Sequence, residues 1–340
     1  MDINKIILNN LEKKGEIWLG PMGNYWSNLN IEENKKFLNE IDVLGVEASV
    51  KKYYPEYFDV IFSPKRAAGL LFLDPRPGEI VLDAGCMWGA LTLPLAKTGC
   101  DVIGIDQTYE SLVLLNKRLS EEKLYNVNLI CSDLTKIFFQ KESFDKAIIN
   151  GVMEWIPQNE VIELKKYYGK RSLPSKNENN SNPRDLQLEF LKTIQGGLKK
   201  KGTLYLAIEN RYDILYFLGV PDPHCNLKFI TFMPRFIQNV LSKIFLGRPY
   251  TNWIYSPYEL KKLVKEAGFN DIEIYSAFPN YHQPEYILSA NGMKLLRPFS
   301  YTKINSKLKR AVMYGIEEII YRKLKLTIFA PSLIIIAQKG

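Results

Sequence analysis

The chain has 340 residues, of which 46% are hydrophobic and 24% charged, and its formal net charge is +8. These fractions are ordinary for a globular protein and exclude a wholly disordered one. No apolar run approaches the roughly 18 residues of a membrane span, and the first residues do not have the pattern of a secretory signal. The sequence therefore predicts a cytoplasmic protein.

The four cysteines stand far apart and form no Cys-x-x-Cys pair. This spacing argues against both a disulfide framework and a zinc site, and we predict no bound metal. The positive charge is concentrated in residues 165–185 and 297–325. Such segments suit phosphorylated ligands, nucleic acid or an anionic membrane surface, and they are equally typical of a solvated helix face or loop.

The first 73 residues are predicted to form a helical lid that contains many aromatic side chains. Apolar residues recur at helical spacing over 34–44 and 60–73. The sequence Asp-Pro-Arg-Pro-Gly at 74–78 then breaks the pattern. The remainder, 74–340, is predicted to be one domain with insertions at 165–185, 211–255 and 279–330.

Strand and helix patterns alternate after this break. The predicted strands are 79–83, 101–106, 127–131, 144–150, 203–209, 271–275 and 333–337, and the predicted helices are 90–97, 110–122, 186–198, 257–267 and 305–325. The helix at 257 has a clear start signal, because a serine, a proline and a glutamate occupy its N-cap, first and third positions. Strands alternating with helices at this pitch predict an α/β fold with a parallel sheet and helices on both faces.

Polar residues and glycines follow four successive strands. The first strand leads into Asp83-Ala84-Gly85-Cys86-Met87-Trp88-Gly89, a glycine-rich turn at which backbone can approach a ligand closely. Asp106, Asp133 and Asn150 end or follow the next three strands. Because ligands of parallel sheets bind beyond the carboxyl ends of the strands, these residues predict a binding site at that edge.

In these residues the chain resembles the class I S-adenosylmethionine-dependent methyltransferases. The resemblance implies a Rossmann-like sheet of seven strands in the order 3-2-1-4-5-7-6, with S-adenosylmethionine as cofactor. It assigns cofactor binding to Asp83, Gly85, Cys86, Gly89, Asp106, Gln107, Asp133, Leu134 and Asn150. Met87 departs from the family pattern, which usually has glycine there, so its side chain must point away from the cofactor or narrow the pocket.

A narrower resemblance concerns three downstream segments: 206–211, 221–224 and 278–281. They resemble a bacterial methyltransferase subgroup that is often associated with glycan or secondary-metabolite biosynthesis. The resemblance implies a small-molecule or sugar-derived acceptor, and the basic segments would suit a phosphorylated one.

Methyl transfer to an alcohol or a protonated amine needs a base. We predict His224 and Glu209 as the catalytic groups, because both lie in or before the insertion that follows the fifth strand. Trp155, Arg211, Tyr25 and His282 are predicted to contact the acceptor. Each has a plain structural alternative: a surface-loop histidine, a local ion pair or an aromatic residue of the core.

Two other functions remain open at this point. The basic segments would also suit an RNA methyltransferase, although no RNA-binding module is visible. A chain whose glycine loop had degenerated at Met87 could instead be a non-catalytic S-adenosylmethionine-binding subunit.

We expect a covered, partly aromatic acceptor pocket with His224 on its wall and residues 297–325 near its rim.

Overall fold

The computed structural model describes residues 2–22, 26–27, 31–157, 162–163, 182–289, 295–296, 315 and 317–340. The predicted acceptor contact Tyr25 and most of the basic segments 165–185 and 297–325 lie outside these residues. Within the described part, no helix is both long and apolar enough to cross a membrane.

A single large sheet forms the centre of the fold. In chain order the strands are β1 (Glu12–Lys14), β2 (Ile17–Leu19), β3 (Trp26–Ser27), β4 (Ile80–Ala84), β5 (Asp101–Asp106), β6 (Val127–Cys131), β7 (Phe144–Asn150), β8 (Ile162–Glu163), β9 (Leu198–Glu209), β10 (Phe269–Phe278), β11 (Tyr286–Ser289), β12 (Leu295–Leu296) and β13 (Ser332–Lys339). As far as the chain is described, eleven of them form one sheet in the order β1-β2-β6-β5-β4-β7-β9-β13-β10-β11-β12, and β3 pairs with β8.

The prediction of seven strands is wrong, because the described residues form a sheet of eleven. The predicted order 3-2-1-4-5-7-6 is therefore not the order of the whole sheet. The seven predicted segments occupy the middle of the sheet, from β6 across to β10, and two short strands extend it at each edge. Strands β2, β6, β5, β4, β7 and β9 run parallel, whereas β13 is antiparallel to both of its neighbours. The additional strands have only two to four residues each, and β1 is exposed throughout, so a hydrophobic pattern in the sequence does not identify them.

Helices cover both faces of the sheet. They are α1 (Ile31–Leu44), α2 (Val46–Tyr53), α3 (Phe58–Phe62), α4 (Leu70–Leu73), α5 (Thr92–Lys97), α6 (Tyr109–Glu121), α7 (Pro183–Gly197), α8 (Ile214–Phe217), α9 (Arg235–Leu246) and α10 (Pro257–Glu266). The continuous helix predicted over 60–73 is wrong, because Ser63 is extended and caps a 3-10 helix, Pro64–Gly69, between α3 and α4. The N-terminal segment is also not purely helical, since β1 and β2 belong to the sheet.

The core lies on both sides of the sheet, because successive side chains of the central strands are buried on opposite faces. Val81 and Leu82 of β4 are both fully buried, in separate apolar clusters. This pattern is typical of a parallel sheet that is covered by helices on each face. The start signal of α10 is confirmed: the Ser256 and Glu259 side chains form a reciprocal capping box.

Strands β4, β7 and β9 are parallel neighbours, so their carboxyl ends lie at one edge of the sheet. A cavity lies at this edge.

Candidate active site

A cavity of about 260 Å³ lies beyond the carboxyl ends of β4, β7 and β9. It is lined by Tyr57, Val60, Ile61, Arg66, Asp83, Gly85, Cys86, Met87, Trp88, Ala90, Leu91, Asn150, Gly151, Glu154, Trp155, Glu209, Pro223, His224, Tyr281 and His282. The N-terminal segment, the strand-end loops and the insertion after β9 all contribute to its wall. The structure therefore brings together residues that are more than 200 positions apart in the sequence.

The glycine-rich turn forms one end of the cavity. Gly85 and Gly89 both have left-handed backbone, with φ of +82° and +80°. Gly85 lines the cavity, but Gly89 does not, and a Cβ at Gly89 would overlap the Leu115 side chain. Gly89 therefore serves close packing against α6, and its predicted contact with the cofactor is not part of this cavity wall. Cys86 lines the cavity, and burial raises the pKa of its thiol.

Asp83 and Asp106 stabilise this turn by accepting hydrogen bonds from neighbouring residues. The Thr92 hydroxyl donates to Asp83 Oδ2 at 2.7 Å. The amides of Met87 and Thr108 donate to the two oxygens of Asp106, each at 2.9 Å. Burial raises the pKa of both carboxyl groups to about 6. Asp83 and Met87 both line the cavity, and Asp106 holds the backbone of Met87. Met87 also packs against the apolar cluster that contains Tyr54 and Trp88.

The residues after β5 and β6 lie outside the cavity wall. Asp133 Oδ1 accepts hydrogen bonds from the Thr135 amide and hydroxyl, at 2.9 and 2.7 Å, so the carboxylate closes its own turn. Leu134 packs against the main apolar cluster, and Gln107 is half-buried. Their predicted contact with the cofactor therefore stays a prediction, and none of the three contributes to the cavity wall.

Asn150 ends β7 and points into the cavity. The residue is 7% exposed, yet neither its amide oxygen nor its amide nitrogen has a hydrogen-bond partner among the described residues. A buried amide without partners is costly, so such a group is characteristic of a site that a ligand completes.

His224 lies on the opposite wall and is 2% exposed. Its Nδ1 lies 2.9 Å from Asp222 Oδ1, and the Tyr250 hydroxyl donates to Asp222 Oδ2 at 2.5 Å. This chain of contacts fixes the ring so that Nε2 faces Glu209 Oε2, 3.8 Å away. Burial alone would lower the pKa of His224, but Asp222, with Glu209 and Glu154, raises it to about 9.

Glu154 and Glu209 lie next to His224 in the cavity wall. Each has one buried carboxylate oxygen without a hydrogen-bond partner in the part of the chain that the structure describes. Burial and the nearby charge of Glu209 raise the pKa of Glu154, which favours its neutral form. Glu154, Glu209 and His224 each offer one ligand atom, and these three atoms lie within 4.8 Å of one another. Such a set of atoms can also bind a divalent cation.

Three further groups complete the polar end of the cavity. The Tyr281 hydroxyl donates to Glu209 Oε1 at 3.1 Å, and His282 Nε2 lies 3.9 Å from the same oxygen. The Arg66 guanidinium contacts His282 Nδ1. Burial and the charge of Arg66 lower the pKa of His282, so this histidine stays neutral and accepts from the arginine.

The structure separates the remaining predicted acceptor residues. Trp155 lines the cavity, and its ring lies 5.2 Å from that of His224 in an edge-to-face arrangement. Arg211 does not line the cavity. Its guanidinium binds Glu259 Oε1 at 2.6 Å and the carbonyl oxygens of Thr231 and Met233, so it anchors the insertion after β9 rather than an acceptor.

Sequence reasoning missed Arg66, Glu154, Asp222, Tyr250 and Tyr281 as site residues. The first and last come from distant segments and carry no local signal. A partial signal existed for two of the others: Asp222 stands two residues before His224, and Glu154 follows Asn150 by one helical turn.

Comparison with known proteins places one part of this chain in a family. Residues 81–167 match the family model described as "Methyltransferase domain". Over 80 residues, the chain is 35% identical to a ubiquinone biosynthesis O-methyltransferase of Coxiella burnetii, covering 24% of this chain and 34% of that protein. Over 77 residues, it is 36% identical to a probable ribosomal RNA small subunit methyltransferase A of Methanosphaera stadtmanae, covering 23% and 28%.

These curated relatives match over about a third of their own length or less. Among solved structures, one that is similar to this chain is phosphoethanolamine N-methyltransferase 2 of Haemonchus contortus in complex with S-adenosyl-L-methionine. The structural match covers 89% of this chain and 60% of that protein's chain. Its TM-score is 0.47 and its sequence identity 14%. The matched segment 81–167 contains the glycine-rich turn and Asn150, and it ends before the insertion that carries His224.

Proposed function

We propose that this chain, which contains a class I S-adenosylmethionine-dependent methyltransferase domain, transfers a methyl group to an oxygen or nitrogen atom of a small-molecule or sugar-derived acceptor. The observation that carries the proposal is the cavity itself. It joins the glycine-rich turn and Asn150, which belong to the methyltransferase segment, to His224 and Glu209 of the insertion side. Cofactor and proton-accepting groups would thus share one enclosed space.

The residues at the β4–β7 end fit S-adenosylmethionine. The amide of Asn150 offers a free donor and a free acceptor in the cavity, as far as the described residues show. Asp83 and Gly85 line the same end, and the oxygens of Asp106 can accept further hydrogen bonds beyond those from Met87 and Thr108. When bound, the cofactor supplies a methyl group on a positively charged sulfur.

His224 is the group that we assign to accept the acceptor's proton. Asp222 and Tyr250 orient the ring, and Nε2 faces the cavity and Glu209. With a pKa of about 9, His224 is protonated at neutral pH in the ligand-free protein, and it must lose that proton to act as a base. Nearby positive charge lowers the pKa of a histidine, so a filled cofactor end would favour the active, neutral form.

The remaining walls favour a small acceptor. Tyr57, Trp88, Trp155 and Tyr281 give the cavity large aromatic surfaces. Aromatic walls with a few convergent polar groups are typical of small-molecule sites, and water excluded from such a space cannot compete for the reacting atoms.

Calorimetric titration with S-adenosylhomocysteine tests the cofactor assignment. We expect one site per chain, a loss of affinity for Asp106→Ala, and no change for Asp74→Ala, whose carboxylate is exposed and pairs with Arg76. Absence of binding to the wild-type protein would contradict the assignment.

Transfer of labelled methyl groups to a panel of acceptors tests the reaction. The panel contains hydroxylated aromatics, amines, sugar phosphates and an RNA oligonucleotide, each with and without a chelator. We expect a small-molecule acceptor and no effect of the chelator. Exclusive labelling of the RNA would replace the proposal with an RNA methyltransferase, and loss of activity on chelation would make Glu154, Glu209 and His224 metal ligands.

A further inference from the structure

Helix α9 reverses the usual distribution of polar and apolar residues. Gln238 and Ser242 are buried on its inner face, at 0% and 1% exposure. Gln238 Nε2 donates to the carbonyl oxygens of Ile230 and Thr231, both at 2.8 Å, which fixes this orientation. The outer face instead presents large apolar side chains to solvent, with Phe236 71%, Ile244 68%, Phe245 60% and Val240 53% exposed.

The apolar surface continues beyond α9, because Phe245 lines a small cavity together with Lys228, and the ring of the adjacent Phe229 lies against Gly219, two residues after Phe217. Phe217 of α8 stacks on Phe232 at 4.2 Å and meets Phe329 edge-to-face at 5.9 Å, so two separate chain segments join there. Further exposed apolar side chains flank these contacts, namely Leu218, Val220, Phe229, Leu324, Leu326 and Ile328. We call this surface, together with the outer face of α9, the apolar face. Contiguous exposed apolar surface of this kind marks an interaction site.

The segment that carries α9 is basic. From residue 223 to 258 the sequence contains no Asp or Glu, but it contains four basic residues. Lys228 and Lys243 are exposed next to Phe229 and Ile244, and Lys323 and Lys325 are exposed on either side of Leu324. Exposed lysines interleaved with aromatic and aliphatic side chains are the pattern of a helix that lies in the interface of an anionic membrane.

We propose that the apolar face docks on the surface of an anionic phospholipid membrane. Phe236, Val240 and Ile244 would enter the headgroup–acyl boundary, while Lys228 and Lys243 would contact lipid phosphates. This mode needs no spanning helix and agrees with the absence of one among the described residues. A membrane is favoured over a protein partner because lysines are depleted at protein interfaces, whereas they stand here among the apolar groups. The inference does not depend on the proposed methyl transfer.

Co-sedimentation with lipid vesicles tests the proposal. We expect the full chain to sediment with mixed phosphatidylcholine–phosphatidylserine vesicles, to sediment much less with phosphatidylcholine alone, and to be released by salt. The double variant Phe236→Asp/Ile244→Asp should lower the partition coefficient by about tenfold or more. The matched control Val43→Asp changes a comparably exposed apolar residue on α1, which packs on α2 and α6, and it should sediment like the wild type.

Circular dichroism and binding of S-adenosylhomocysteine establish that the variants are folded. The variant Lys228→Glu/Lys243→Glu supplies a second test, because it removes the positive charge and leaves the apolar side chains in place.

Three results would overturn the proposal. They are no sedimentation of the wild type, equal sedimentation of all variants, and a wild-type dimer that the double aspartate variant dissociates, which would make the apolar face a contact between two copies of this chain.

Discussion

The strand-end turns beside the cavity and the acceptor end of the cavity differ in how their acidic groups are bound. In the turns after β4, β5 and β6, Asp83, Asp106 and Asp133 each accept hydrogen bonds from a hydroxyl or an amide nearby. At the acceptor end, Glu154 and Glu209 each retain a buried oxygen without a partner among the described residues. The carboxylates of the turns are therefore held before any ligand arrives, whereas those of the acceptor end keep polar capacity that a proton, a cation or an acceptor can use.

This difference follows from where the residues come from. The glycine-rich turn and its acids belong to the consecutive elements from β4 to β6, in which hydrogen bonds from nearby residues bind all three carboxylates. The acceptor end joins β7, β9, the insertion with His224 and the loop with Tyr281, so its geometry depends on tertiary packing. We expect substitutions at the acceptor end to change chemistry without changing cofactor affinity, and substitutions in the turn to change stability.

The largest expected effect is on turnover by His224→Gln. This variant keeps a polar side chain but cannot accept a proton at neutral pH, so kcat should fall by about 10²–10⁴-fold with an acceptor found in the panel. The Kd for S-adenosylhomocysteine, measured by calorimetry, should not change. Full activity in the variant would show that His224 is not the base.

A smaller effect is expected on stability when the anchor of the insertion is removed. Arg211→Met leaves Glu259 and two backbone carbonyls without their buried partner and should lower the free energy of unfolding by about 2–4 kcal/mol. Arg76→Met is the matched control, since its ion pair with Asp74 is exposed and its loss should change stability much less. Denaturant unfolding of both variants measures the difference, and equal losses would contradict the role given to Arg211.

Gly89→Ala should destabilise the turn by about 2–3 kcal/mol, because it combines left-handed backbone with overlap of the Leu115 side chain. Gly247→Ala provides the comparison: Gly247 has a similar φ of +72°, but a methyl group at its Cα would meet no atom within 4 Å. It should therefore cost only about 1 kcal/mol. If thermal or denaturant unfolding shows no difference between the two, Gly89 is not required for packing.

A further expected effect is a pH dependence of stability. The pKa of His224 is raised to about 9 in the folded protein, from about 6.5 in an unfolded chain. Its contribution to stability is fully present below pH 6.5 and is lost as the pH rises through 9, on the order of 3 kcal/mol. Asp222→Asn should flatten this part of the stability curve, and an unchanged slope would argue against the ion pair.

Features that depend on local sequence could be predicted, whereas those that depend on tertiary packing could not. The strands that end at Asp106 and Asn150, the turn at Gly85 and the N-cap at Ser256 were predicted, because each depends on residues within one or two elements. The four edge strands were missed, since two to four residues are too few to distinguish a strand from a loop in the sequence. The polar contacts of His224 with Glu209 and of Tyr281 with Glu209 could not be predicted, because only the folded sheet brings β9 next to those loops.

The most direct test of the account is the titration of the two histidine rings by NMR. The chain contains only His224 and His282, so two sets of ring signals can be assigned with one variant, His282→Gln. Asp222 should hold the pKa of His224 near 9, while burial beside Arg66 should keep the pKa of His282 well below its usual range. Two rings that both titrate near pH 6.5 would contradict the proposed acceptor end.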